Sequence, residues 1–279
     1  MADGDRKFWM RPRYWIILSC VTAGCVVAMY IFGRFEQFLI SSSRFTLVGP
    51  PEPGDEVAGF QAEGIVHASH DRVVQAFARD FGRSVYLLPI AERRRNLLAV
   101  NWIEDASVTR LWPNGVRVRV RERRPVAFVQ FGSDDEDSST TSPRPALIDR
   151  EGVILYPQAA AHFELPVVLG ISPAQSEADR RYRMRRVTRL IDDLGPLAEA
   201  VSEIDAADPE NLRAVQQVED RAVTLILGNQ RFKQRVQNFL ANYPEIRRRL
   251  PDAVLLDLRL EDRITAVPVD AESRRRHGR

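Results

Sequence analysis

V-N-W-I-E-D-A-S-V-T-R-L-W-P-N-G-V-R-V-R-V-R-E-R-R-P-V-A, residues Val100 to Ala127, decides how the rest of the chain is read. Pro113-Asn114-Gly115 is a turn signal, because proline presets φ and Asn-Gly tolerates positive φ. After the turn, Val116, Val118 and Val120 alternate with Arg117, Arg119 and Arg121, so a strand would carry valines on one face and guanidinium groups on the other. Before it, Ala106, Val108 and Trp112 share one face while Ser107, Thr109 and Leu111 share the other. The spacing predicts a β-hairpin with one wet face.

Working back from the hairpin, Pro89 suits the first turn of a helix whose stripe is Ile90, Arg94, Leu97 and Leu98, with Glu92, Arg93 and Arg95 beside it. An earlier helix is predicted from the N-cap Ser69 through Val73, Val74, Phe77, Ala78 and Phe81 to the terminator Gly82. Arg44 to Val48 is a short strand candidate, resumed at Phe60 to Val66 across a Pro- and Gly-rich loop, Pro50 to Gly59. The order strand, helix, helix, strand, strand is an α+β pattern, helices on one face of a small sheet, expected over 44–131.

Working forward, Ser133 to Pro143 is acidic and serine-rich and reads as a surface loop within 132–145. Clustered carboxylates suggest calcium, but their spacing fits no loop motif. A second domain is expected over 146–268, with a mainly antiparallel sheet and flanking helices, ahead of a polar tail at 269–279. Ala146 to Leu155 reads as strand, turn, strand; Val201 to Ile204, Leu212 to Val218 and Ala222 to Leu227 read as antiparallel strands. Helices are predicted over Arg181 to Leu194 and Arg231 to Tyr243, the second with Phe232, Val236, Phe239 and Leu240 inward and Lys233 and Arg235 on its wet side. Val254 to Leu260 and Ile264 to Val269 form a terminal hairpin about Glu261-Asp262-Arg263.

Near the N-terminus, 14–32 carries no charge, and a helix of that length is roughly 28 Å long against a hydrocarbon core of about 30 Å. Tyr14, Trp15, Ile16, Ile17, Leu18, Val26, Val27, Met29, Tyr30 and Phe32 are the expected membrane-spanning residues. The run is too long for the apolar core of a signal peptide, ends in bulky residues, stays apolar past Cys20 where a lipoprotein signal would turn polar, and has no polar face for a core helix. Arg6, Lys7, Arg11 and Arg13 lie in the tail 1–13, and only Arg34 and Arg44 follow closely, so the N-terminus is expected in the cytoplasm. A linker is expected at 33–43.

Little in the chain suggests catalysis. Forty basic against thirty-eight acidic residues give no global field for nucleic acid, and no aromatics interleave with the arginines of 117–121. Both cysteines, Cys20 and Cys25, fall in the apolar run, which leaves none for a disulfide or thiolate metal site beyond it. His67 and His70 could ligate a metal, but no third ligand is suggested, and solvated helix-entry residues explain them. The chain has no P-loop, G-x-G-x-x-G, G-x-S-x-G, S-x-x-K or H-E-x-x-H motif, and no cofactor is expected.

Asn101-Trp102-Ile103, Ala106-Ser107-Val108, Arg110, Pro113, Val118, Val120, Glu122, Pro125 and Ala127 resemble the Pro-Trp-Val, Ala-x-Val-x-Arg and Glu-Arg-x-Pro-x-Ala pattern of the POTRA domain in the FtsQ/DivIB family of bacterial division proteins. Asn101 replaces the usual proline. Leu147-Ile148-Asp149, Leu165-Pro166 to Gly170, Phe232 to Arg235 and Leu256-Asp257-Leu258-Arg259 are similar to the family's second domain. The resemblance implies a non-enzymatic, single-pass scaffold at the septum with small coiled-coil partners, FtsB and FtsL. The expected contact is strand addition at Val254, Leu255, Leu256, Leu258, Leu260, Ile264, Thr265 and Val267, supported by the 231–243 helix. Family aromatics on these strands stand here as Leu255 and Leu260, and a merely shielded edge ending at Pro268 is the plainer alternative. A POTRA-bearing outer-membrane assembly or secretion component is the other class.

Overall fold

The computed structural model describes residues 12–50, 59–130, 146–157, 162–260 and 263–268, with only the backbone at 12–14. The loop core at 51–58, the acidic segment 131–145, the turn residues Glu261 and Asp262, and the tails 1–11 and 269–279 lie outside the described residues. The chain divides into two compact units between Arg121 and Glu122.

In the first unit, helix α1 (Pro12–Ser41) is longer than the sequence suggests. The linker expected at 33–43 is largely helix, because a lone Gly33 does not stop a run in which Arg34, Glu36, Gln37 and Leu39 are good helix residues. The strand expected at 44–48 is absent too. A 3-10 turn at Ser43–Phe45 leads into Leu47, whose N–H donates to the Arg83 carbonyl and whose carbonyl accepts from Gly82, so this segment pairs with 82–84 and not with the sheet.

Strands β1 (Phe60–Glu63), β2 (Ile103–Leu111) and β3 (Gly115–Glu122) form a sheet in the order β1-β3-β2, with β1 parallel to β3. The alternation of the opening stretch is realised: Val116, Val118 and Val120 are buried while Arg119 and Arg121 are exposed. The arginine face is internally paired. Arg117 reaches Gln61 at 3.0 Å, Arg119 reaches Glu63 at 2.7 Å, and Arg121 reaches Glu104 at 3.2 Å.

Between β1 and β2 lie α2 (His70–Gln75) and α3 (Ile90–Leu98). Ser69 caps α2 as expected, but the helix tightens into i to i+3 bonds after Gln75, so Phe77 reaches the core from a turn. Arg93 is the larger departure: it is buried with Asp80, its Nε 2.5 Å from Oδ2 and Nη2 3.1 Å from Oδ1. Two elements supply this pair, so no spacing within α3 could reveal it.

Among the described residues of the second unit, nine strands make one sheet in the order β12-β11-β10-β9-β8-β7-β4-β5-β6. They are β4 (Pro125–Val129), β5 (Ala146–Asp149), β6 (Ile154–Leu155), β7 (Val167–Leu169), β8 (Val201–Asp205), β9 (Leu212–Val218), β10 (Arg221–Gly228), β11 (Leu255–Asp257) and β12 (Thr265–Ala266). Strand β4, expected within the first module at 44–131, pairs instead with β5 and β7. A local reason is visible: Arg123, just before β4, donates to Asp149 at 2.8 Å, and the other Asp149 oxygen accepts from the Glu151 and Val153 N–H groups to shape the β5–β6 turn. Gly152 and Gly170, both at positive φ, allow close backbone approach; a Cβ there would sit 2.7 Å from Arg181 N and 2.3 Å from Ala207 N.

The parallel pairs β7–β8 and β10–β11 are each joined through a helix, α4 (Glu177–Leu194) and α5 (Phe232–Arg249), the crossover that parallel strands require. Met184, Val187, Leu190 and Leu194 of α4 and Phe232, Val236, Phe239 and Tyr243 of α5 join Ile204, Ala214, Leu225 and Leu256 in one core. Helix α4 begins a turn before the expected Arg181 because Ser176 caps it, accepting from the Asp179 N–H. Helix α5 runs past Pro244 to Arg249, beyond the expected end at Tyr243.

Candidate functional site

The sequence places its partner contact on the last two strands, and the structure sorts those residues into three groups. Leu255, Leu256 and Leu258 are buried, and Leu256 and Leu258 belong to the core of the second unit. They hold the edge in place, and of the three only Leu258 also borders the cleft described below. Val254 and Leu260 are each half exposed, at 50 %, and Thr265 is exposed. Ile264 and Val267 are intermediate.

Backbone direction then identifies the open row. Strand β11 bonds β10 through even-numbered positions: Thr224 N–H donates to the Val254 carbonyl and Leu258 N–H to the Ile226 carbonyl. Its odd positions face β12, where Val267 N–H donates to the Leu255 carbonyl and Leu256 stands opposite Ala266. Because antiparallel partners alternate between bonded and non-bonded pairs, the N–H and C=O of Ala266 point away from β11, at the end of the sheet order. Among the described residues the sheet therefore ends in a backbone donor and acceptor directed outward.

Beside this edge is a cleft of about 230 Å³ to which α5 and its entry contribute Arg231, Arg235 and Asn238, and the edge segment Leu258, Leu260 and Ile264. Arg231 enters the helix in the left-handed region, φ 58°. Arg235, expected on the wet side, is partly buried: its guanidinium donates to the Leu227 carbonyl and, at 2.9 Å, to the Arg259 carbonyl. Burial, helped by the like charge of Arg231, lowers its pKa from the ordinary arginine value. Asp257 and Arg259 pair on the face opposite Leu256 and Leu258, with Nε–Oδ1 2.9 Å and Nη2–Oδ2 2.6 Å. Burial pushes the Asp257 carboxyl up, but the Arg259 guanidinium and N–H prevail and hold it below the usual carboxylate value. The Leu-Asp-Leu-Arg motif is thus two core anchors alternating with an ion pair that stiffens the approach to the edge. No local pattern marks Arg235 as a strut, since its carbonyl partners are eight and twenty-four residues away.

The expected membrane-spanning residues all lie on α1, and Trp15, Ile16, Ile17, Leu18, Val26, Val27, Met29, Tyr30 and Phe32 are exposed there; Tyr14 is helical with its side chain outside the described residues. Residues Trp15–Ser41 form a helix long and apolar enough to cross a membrane. An apolar surface on every side needs a solvent other than water. Cys20 and Cys25 are exposed on the same helix. His67 lies against Trp102 with ring centroids 5.1 Å apart, and His70 opens α2. Among the described residues no group of three His, Cys, Asp or Glu side chains is placed to hold a metal ion.

Two family models match this chain. Residues 60–123 match the model described as POTRA domain, FtsQ-type, and residues 140–259 match that described as Cell division protein FtsQ/DivIB, C-terminal. Among similar proteins, the Cell division protein FtsQ of Koribacter versatilis is 29 % identical over 255 residues, which are 89 % of this chain and 67 % of that protein. Its counterpart in Bordetella pertussis is 38 % identical over 113 residues, 40 % of this chain and 39 % of the relative, and that of Agrobacterium fabrum 29 % over 119 residues, 40 % and 34 %. The last two are spanned over less than half their length.

Proposed function

Because the chain belongs to the FtsQ/DivIB family of bacterial cell division proteins, we propose that it is a non-enzymatic, single-pass scaffold of the division machinery. Its two modules lie outside the cytoplasm, and it binds FtsB- and FtsL-like partners at the septum by adding a partner strand to β12. The observation that carries this reading is the outward backbone of Ala266 at the end of the sheet, next to a cleft that offers guanidinium, amide and aliphatic contacts. An added strand takes its register from backbone hydrogen bonds and its specificity from alternate side chains. Leu260 and Ile264 flank the row and lie where those side chains would arrive. The rival class, an outer-membrane assembly component, is not favoured, since the residues following the first module match the C-terminal model of division proteins.

The test exploits the direction of one N–H. Ala266→Pro removes the outward donor while sparing the β11 pairing, which uses Thr265 and Val267. Co-purification of the full chain with an FtsB-like protein should weaken by at least about tenfold, the effect of one lost and unsatisfied hydrogen bond, with the circular dichroism melt unchanged. Leu260→Lys should act in the same direction. Undiminished co-purification with both folded variants would move the contact elsewhere.

A further inference from the structure

We propose that the base of the first module, centred on Trp112 and Leu87, rests in the phospholipid headgroup layer of the bilayer that α1 crosses; this rests on the membrane-anchored reading above. Helix α1 has 30 residues and is about 45 Å long, whereas the hydrocarbon core is about 30 Å thick. With Trp15 at one interface, where indoles are favoured, about twenty residues reach the other near Phe35. The last turns of α1, carrying Phe38, Leu39 and Ile40, then lie at headgroup depth and not in free water.

Three ties fix the module to those turns. The Ser84 hydroxyl donates to the Leu39 carbonyl at 2.7 Å. The Phe38 ring meets Phe45 edge-on with centroids 5.8 Å apart, and Phe45 meets Trp112 in the same way at 5.8 Å. The 3-10 turn Val85–Leu87 lies against α1, and Arg110 near the end of β2 holds that turn by donating to the Val85 and Leu88 carbonyls at 2.9 and 2.7 Å. Trp112 is therefore no more than about 12 Å from Phe38, and no flexible spacer intervenes.

The side chains so placed are the wrong ones for water. Phe35, Phe38, Ile40, Leu87 and Trp112 are all exposed, Leu87 by 51 % and Trp112 by 55 %. The exposed Arg34, Arg44 and Arg83 lie on the same three segments, cations suited to lipid phosphates. An amphipathic indole with an aliphatic neighbour and a cationic rim is the composition that settles at a headgroup boundary. The bilayer is favoured over a protein occupant because the patch is continuous with the membrane-spanning helix.

The test uses the full chain with Cys20→Ser and Cys25→Ser, reconstituted in phosphatidylethanolamine and phosphatidylglycerol vesicles, with one nitroxide each at Val26→Cys, Leu87→Cys and Ser107→Cys. Collision with oxygen and with a water-soluble nickel chelate reports depth. The label at 26 should lie in hydrocarbon, that at 107 in water, and that at 87 within about 5–10 Å of the headgroup boundary. Trp112→Ser should release the label at 87 into water, and Trp112→Tyr, which keeps an amphipathic ring, should restore it. A label at 87 as open to nickel as that at 107, with 26 still in hydrocarbon, overturns the docking and leaves the anchor standing. A label at 26 open to water overturns both.

Discussion

Asp80 and Arg93 show how one residue pair can govern a module. Both are buried and bonded twice to each other, and the Asp80 hydrogen bond raises the Arg93 pKa above its ordinary value. Removing one partner strands the other charge in a dry site, which costs far more than the pair contributes. Asp80→Ala should destabilise the first module by about 3 kcal/mol in urea unfolding, whereas the double change Asp80→Leu, Arg93→Met should recover most of that loss. Glu210 is the opposite case, a solvent-facing carboxylate with several donors. The Tyr182 hydroxyl, Asn229 at 3.0 Å and Arg186 lower its pKa from 4.5 to about 2. A depressed carboxylate stabilises the fold above its ordinary pKa, and that contribution disappears as pH falls from 4.5 towards 2. Tyr182→Phe should move the Glu210 midpoint, read by NMR titration of its carboxyl carbon, back towards 4.5; an unmoved midpoint would mean that the tyrosine is not its chief donor.

For the elements, caps provide a comparable test. Ser69 accepts from Arg72 N–H at 3.4 Å and Ser176 from Asp179 N–H at 3.1 Å. Ser176→Ala should cost about 1 kcal/mol in chemical denaturation, and Ser69→Ala less, since its bond is longer and α2 is only 6 residues. Ser69 was legible because apolar spacing follows it at once. Ser176 was not, because the apolar stripe of α4 starts two turns later at Met184, although Ser-Glu-Ala-Asp is a capping signature. The alternation and turn of the β2–β3 hairpin were legible, since both are local, but Trp112, expected on the face of Ala106 and Val108, lies past the end of β2 and is exposed. Strand β4 was not: Pro125 to Val129 satisfies the pattern of either sheet, and its Arg123 clamp depends on Asp149. The edge was legible as a place, while the division of its leucines into core and surface required the register that makes Ala266 the outward residue.

On the scale of the whole molecule, the proposed orientation in the membrane rests on charge. Four cations, Arg6, Lys7, Arg11 and Arg13, precede the uncharged run 14–32, while Arg34 and Arg44 are the ones that follow within the next twelve residues. Short flanking cations are retained on the cytoplasmic side, so both modules should emerge on the other. Protease added to intact spheroplasts should digest the chain after Ser41 and leave a membrane-protected fragment containing α1. Replacing the four leading cations with glutamine removes the bias, and a fraction of the chains should then become resistant until the spheroplasts are lysed. If the wild-type modules were already resistant before lysis, β12 would face the cytoplasm, and an extracytoplasmic partner could not reach Ala266.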